Sequence, residues 1–363
     1  MKNIGTIKLA ITYVGIFIGA GLISGQELWQ FFACFGRAGL LGCLLILPVF
    51  FVIFNALLNL VRETGEESVG RLLILGHHPR LQMTVDIMQD LFLFGIIVIM
   101  VAGAAALGSE MLGIPSILVG AVFTVLLILV ALLGLEGMVA TFQILVPIST
   151  ACAMVLCAIV LVRHDFRIAA EAAGSPSPLL PNWAAGAAPY ASYNIFGTVG
   201  VIIPVGKFLS GKKLIRRGLS LGSILLLLLI GSIITALAAV PASGLAELPM
   251  MVLAETVHPL LAAFYGILMG LGMFSCALGS LVALLVQVSL HRREAGAKQG
   301  AATVFLAALA FVCSLLGFGN LVGIIYPIFG YASIPLSFCL LGNYHRLRKG
   351  TLGWNTEKHN PVK

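Results

Sequence analysis

The sequence predicts an all-α polytopic membrane protein of ten transmembrane helices, built as two inverted repeats of five (5+5), with helices 1 and 6 discontinuous. Three observations carry that prediction. Of the 363 residues, 60% are hydrophobic and only 10% charged, with a mean hydropathy of +1.08; a soluble domain of this size could not bury so much apolar surface. Apolar stretches long enough to cross a bilayer recur along the whole chain. The basic residues fall almost entirely on one side of those stretches.

The spans lie at 6–35, 39–61, 83–109, 115–134, 137–162, 186–206, 214–240, 259–290, 300–318 and 321–343. Lys2 and Lys8 flank the first on its inner side, and Arg62 closes the second. Asn55 and Asn59, within the second, are spaced to bond neighbouring helices. The third begins beside His77, His78 and Pro79 and places Asp86 and Asp90 on one face, suited to pairing with basic loop residues. The fourth and fifth are almost purely apolar. The sixth carries a polar cluster, and Lys212, Lys213, Arg216 and Arg217 stand at the entrance of the seventh. Arg292 and Arg293 follow the eighth, and the tenth runs into a polar tail. With the N-terminus inside, only Arg37, Arg163 and Arg167 lie outside, and the other 18 of the 21 Lys and Arg residues lie inside. Both termini are therefore expected in the cytoplasm. The net charge of +7 is explained by this asymmetry and calls for no nucleic acid. The seven cysteines lack a CxxC pair, so neither a disulfide framework nor a zinc site is expected.

The first span contains "GIFIGAGLISGQE". Gly15, Gly19, Gly21 and Gly25 make two GxxxG spacings, which close helix packing would explain. Packing alone does not require Gln26 and Glu27. A carboxylate near the centre of a span costs about 2.5 kcal/mol or more on insertion scales. The alternative is a helix that unwinds around residues 19–25. The amides of its outer half would then form an anion site and the carbonyls of its inner half a cation site. The sixth span offers a counterpart in "YASYNIFGTVGVIIPVG": Tyr193, Asn194 and Thr198 are polar, Gly197 and Gly200 loosen the backbone, and Pro204 removes a donor. Five spans precede the sixth-span start and five follow from it, and an odd number per half inverts the second half relative to the first. Residues 1–165 are then the first repeat, 166–185 an extracytoplasmic connecting loop, 186–345 the second repeat and 346–363 a cytoplasmic tail. "GKFLSGKK" at 206–213 nearly matches a phosphate loop but ends in Lys213 where Ser or Thr must stand, so it reads as a basic membrane anchor.

"GAGLISGQELWQFF" resembles the first-helix signature of the YkvI-type membrane proteins, within the amino acid–polyamine–organocation superfamily. The ten-span layout and "YNIFG" in the sixth span fit that family too. The resemblance implies the leucine-transporter fold, with helices 1 and 6 unwound around a central site. It places Gly19, Ala20 and Gly21 at a Gly-x-Gly break whose amides hold a substrate carboxylate. The expected solute site comprises these three with Ser24 and Gly25, and Tyr193, Asn194, Gly197 and Thr198 opposite. Sodium-coupled relatives use helix 1 carbonyls, here matched by Gly15 and Ile18, and two hydroxyls of helix 8. In "GMFSCALGS" those positions hold Ser275 and Cys276, and a thiol is a poor ligand for a hard cation. That argues against sodium and leaves Glu27 as a proton-relay candidate, with bracing of the outer half-helix as its alternative role.

The function expected is a secondary active transporter, a permease of the cell membrane, for an amino acid or a related amine- or carboxylate-bearing metabolite. Its partners are the solute and the lipid bilayer, and protein partners are left open. No resident cofactor or metal is expected beyond a coupling ion, proton or sodium. No nucleophile, base and orienting group cluster as in an enzyme. The alternative is a ligand-sensing subunit of a receptor complex, similar to those of spore-germination receptors, which need not carry solute across.

Overall fold

The computed structural model describes residues 5–350 except 19, 67, 77, 134–137, 170–176, 207, 208 and 293–296. Gly19, His77, the middle of the 166–185 connection and the tail beyond residue 350 therefore lie outside the described residues. Every regular element among the described residues is helical.

The apolar run that begins the chain does not continue as one helix. α1 (Thr6–Gly15) ends in a tightened turn, in which the N–H groups of Phe17 and Ile18 donate to the Val14 and Gly15 carbonyls at 3.1 and 3.2 Å. α2 (Ala20–Ser24) and α3 (Gln26–Phe31) follow, separated by Gly25 at φ +79°. Glycine is needed there twice over. The left-handed backbone disfavours a side chain, and a Cβ would stand 2.7 Å from Met250 Cγ. A 3-10 turn, Ala33–Ala38, leads into α4 (Gly39–Thr64).

A short α5 (Val69–Leu73) precedes α6 (Pro79–Leu112), α7 (Ser116–Leu133) and α8 (Met138–Arg163). The second half holds α9 (Trp183–Gly206), α10 (Lys212–Ala239), the short α11 (Pro249–Val257), α12 (Pro259–Arg292), α13 (Ala297–Ser314) and α14 (Phe318–Arg348). α6 and α11 open on a proline, whose missing N–H would be unpaired there in any case. Helices thus lie over every stretch read as a span. Among the described residues, five are long and apolar enough to cross a membrane by length and composition alone.

The expected break in the sixth span is corrected: α9 is one uninterrupted helix. Its polar side chains bond back to their own helix, Asn194 Nδ2 to the Tyr190 carbonyl at 3.0 Å and Thr198 Oγ1 to the Asn194 carbonyl at 2.7 Å, a pattern that keeps such residues inside a helix. Gly197 serves packing. A Cβ there would run into the Phe92 ring of α6, with Cζ at 2.8 Å.

α9 packs against α14 and α4, α6 against α12, and α1 against α10. Outward stripes remain at helical spacing: Leu118, Val122, Val125 and Leu129 on α7, and Leu260, Phe264, Ile267 and Leu271 on α12, all about half exposed or more. Apolar faces of this length are unfavourable in water and suit lipid. The interior is aromatic around Tyr13, Phe17, Phe50 and Phe54, whose rings meet at centroid distances of 4.7 to 6.4 Å.

Candidate functional site

Two carboxylates are more than nine-tenths buried among the described residues, Glu66 and Glu27. Glu66 has Arg71 Nη1 at 3.8 Å. Glu27, in the first turn of α3, has no basic partner among the described residues; its surroundings are Asn194, Tyr190 and Tyr193 of α9. A buried carboxylate without a counter-charge is costly unless hydrogen bonds or a bound cation compensate it.

The kink aims this group. Ser24 Oγ donates to the Gly21 carbonyl at 3.2 Å and accepts the Gln26 N–H at 3.3 Å, clamping the turn between α2 and α3. The Glu27 side chain folds back over Gly21. A Cβ on Gly21 would run into Glu27 Oε2 and stand 3.2 Å from Tyr326 Cε2. The space over this glycine is therefore filled by the protein's own carboxylate.

Opposite, Asn194 Nδ2 approaches Glu27 Oε1 at 3.5 Å, the outer limit of a hydrogen bond. Tyr190, Tyr193 and Tyr326 all stand within electrostatic reach of the carboxylate. The Tyr190 and Tyr193 hydroxyls are buried beside Glu27 and, among the described residues, close no hydrogen bond of good geometry. Their rings are fixed firmly. Tyr193 stacks on Tyr326 at 4.6 Å and 11°, and Tyr190 packs edge-on against Phe31, Phe32 and Tyr193.

Two further contacts hold the kink. Tyr265 Oη, from α12, donates to the Ile23 carbonyl at 2.6 Å, satisfying an acceptor at the end of α2. Gln30 Nε2 donates to the Gly319 carbonyl at the start of α14 at 2.8 Å, while the Oε1 atoms of Gln26 and Gln30 lack partners among the described residues.

Of the expected solute-site residues, Gly21, Tyr193 and Asn194 meet around Glu27. Ser24 and Gly25 shape the kink, and Gly197 faces Phe92 rather than the site. Thr198 turns its hydroxyl back to the Asn194 and Ile195 carbonyls. Ala20 begins α2. Of the expected ion-site residues, Gly15 ends α1 with its carbonyl accepting the Ile18 N–H, and Ile18 and Ser275 are buried. Cys276, beside Ser275, is within electrostatic reach of Glu27. Tyr190, Tyr265, Gln30 and Tyr326 were missed. Tyr190 alone carried a sequence signal, lying one helical turn before Asn194.

The fold and its kinked, polar first span define the class: a multi-pass membrane protein with the leucine-transporter fold. Solved structures similar to it are Mhp1 in an inward-facing conformation (TM-score 0.67, 13% identity, covering 96% of this chain and 78% of that one) and MhsT in complex with L-phenylalanine (0.62, 17%, 98% and 91%). A Na+-coupled sialic acid symporter is a third (0.58, 14%, 95% and 78%). The chain is also similar to the uncharacterized membrane protein YkvI of Bacillus subtilis (strain 168), 26% identical over 92% of this chain and 94% of that protein. The YkvI-type resemblance read from the first span thus extends along nearly the whole chain. No protein-family model matches it.

Proposed function

We propose that the chain is a secondary active transporter of the cell membrane, moving an amino acid or a related amine- or carboxylate-bearing metabolite by alternating access. The observation that carries this reading is the kinked first span with a buried carboxylate, Glu27, that has no basic partner among the described residues. Broken helices at membrane depth persist where they serve a cavity or a bound group. The coupling ion is a proton or sodium, with Glu27 the titratable group at the site. Gly15, Ile18 and Ser275 are the candidates for sodium.

The inverted-repeat reading, over 1–165 and 186–345, is supported by the packing. Take α1–α3, α4, α6, α7 and α8 as counterparts of α9, α10, α12, α13 and α14. The α4–α9 contact then has its mate in α10–α1, α8–α12 in α14–α6, and α6–α13 in α12–α7, while α6–α12 and α7–α13 are their own mates. With the basic residues counted as above, both termini and the tail from 346 face the cytoplasm.

The test is uptake. Metabolites that raise the melting temperature of the purified full chain are offered to proteoliposomes with imposed ion or pH gradients. Saturable, gradient-driven accumulation of at least one is expected. Ligands that bind tightly yet never accumulate would replace the transporter reading by a sensor.

A further inference from the structure

The group that covers Gly21 bears on what the site recognises. We infer that this site takes a primary ammonium, received by the Glu27 carboxylate, and that the backbone at Gly21, within α2, does not receive a solute carboxylate. The inference deepens the transporter reading and rests on it.

Charge is the first argument. A solute carboxylate laid over Gly21 would occupy the place that Glu27 holds, and in a low-dielectric site two carboxylates at that range repel strongly. An ammonium supplies the counter-charge that Glu27 lacks among the described residues, and a buried ion pair with further hydrogen bonds is tolerated where a lone ion is not.

Hydrogen-bond count is the second. A primary ammonium offers three N–H donors. The acceptors gathered here are the Glu27 carboxylate and the oxygens of the Tyr190 and Tyr193 hydroxyls, both buried beside it. A quaternary ammonium could balance the charge of Glu27 but would donate no hydrogen bond to any of the three. Asn194, already donating toward Glu27, orients the carboxylate.

The experiment uses the purified full chain in lipid nanodiscs and three carbon skeletons: alanine, leucine and phenylalanine. Each is measured beside the amine left by removing its carboxylate and the acid left by removing its amine. On at least one skeleton the amine should bind about tenfold or more tightly than the acid. Glu27→Gln should weaken that amine by about tenfold or more and leave the acid no weaker. Tyr193→Phe, which keeps the ring and the charge, should weaken the amine several-fold; it serves if Glu27→Gln does not fold. Acids binding as well as amines, an amine affinity indifferent to Glu27→Gln and Tyr193→Phe, or no amine binding at all would each overturn the inference. Gradient-driven uptake of an acid or neutral solute, with amines inert, would overturn it while leaving the transporter reading standing.

Discussion

Gly21 and Glu27 work as one unit, because the carboxylate lies where a side chain at 21 would have to go. Gly21→Ala should therefore destabilise the protein by about 1–3 kcal/mol through overpacking, and Glu27→Ala should relieve part of that cost. Melting curves of the two single mutants and the double mutant measure the coupling, and strictly additive losses would mean that the two residues do not touch. Glu27 was legible in the sequence as an anomaly, a charge inside an apolar run. Its environment was not, because Asn194 arrives from 167 residues away and nothing local marks that approach. The contact of Glu27 with Gly21, six residues away, was not legible either, because it depends on the turn at Gly25 between α2 and α3.

At the scale of elements, the kink between α2 and α3 is stabilised from outside by Tyr265 of α12. Tyr265→Phe removes only an oxygen, yet leaves the buried Ile23 carbonyl unpaired. The expected loss is about 1–3 kcal/mol, read as a lowered melting temperature with the helical circular dichroism unchanged. Gly25→Ala should cost about 1–2 kcal/mol for its left-handed backbone, with a further loss from the Met250 contact. The first-span kink was readable because glycine and polar residues gather in a short stretch. The sixth span carries a comparable gathering and is one uninterrupted helix. Its Asn and Thr satisfy themselves on their own helix, and its Gly197 makes room for Phe92, a partner on another element. Composition alone does not tell a glycine that bends a helix from one that admits a neighbour's ring.

For the whole molecule, hydropathy located the helices because each must satisfy the bilayer over roughly 20 residues, and the exposed stripes of α7 and α12 agree. The proposed orientation predicts that a periplasmic reporter fused after Lys363 is inactive while one placed in the 166–185 connection is active. Equal activity at both would refute it. The Ser275–Cys276 pair predicts that uptake survives replacement of sodium by choline and responds to a pH gradient, and uptake abolished without sodium at constant pH would refute that. The unbroken α9 has a mechanical consequence. It runs from Trp183 to Gly206 as one helix, touching Glu27 through Asn194 near its middle and abutting Val61 of α4 at its far end. One continuous backbone therefore ties the contact with Glu27 to the contact with α4, and a shift of the helix as a body would alter both.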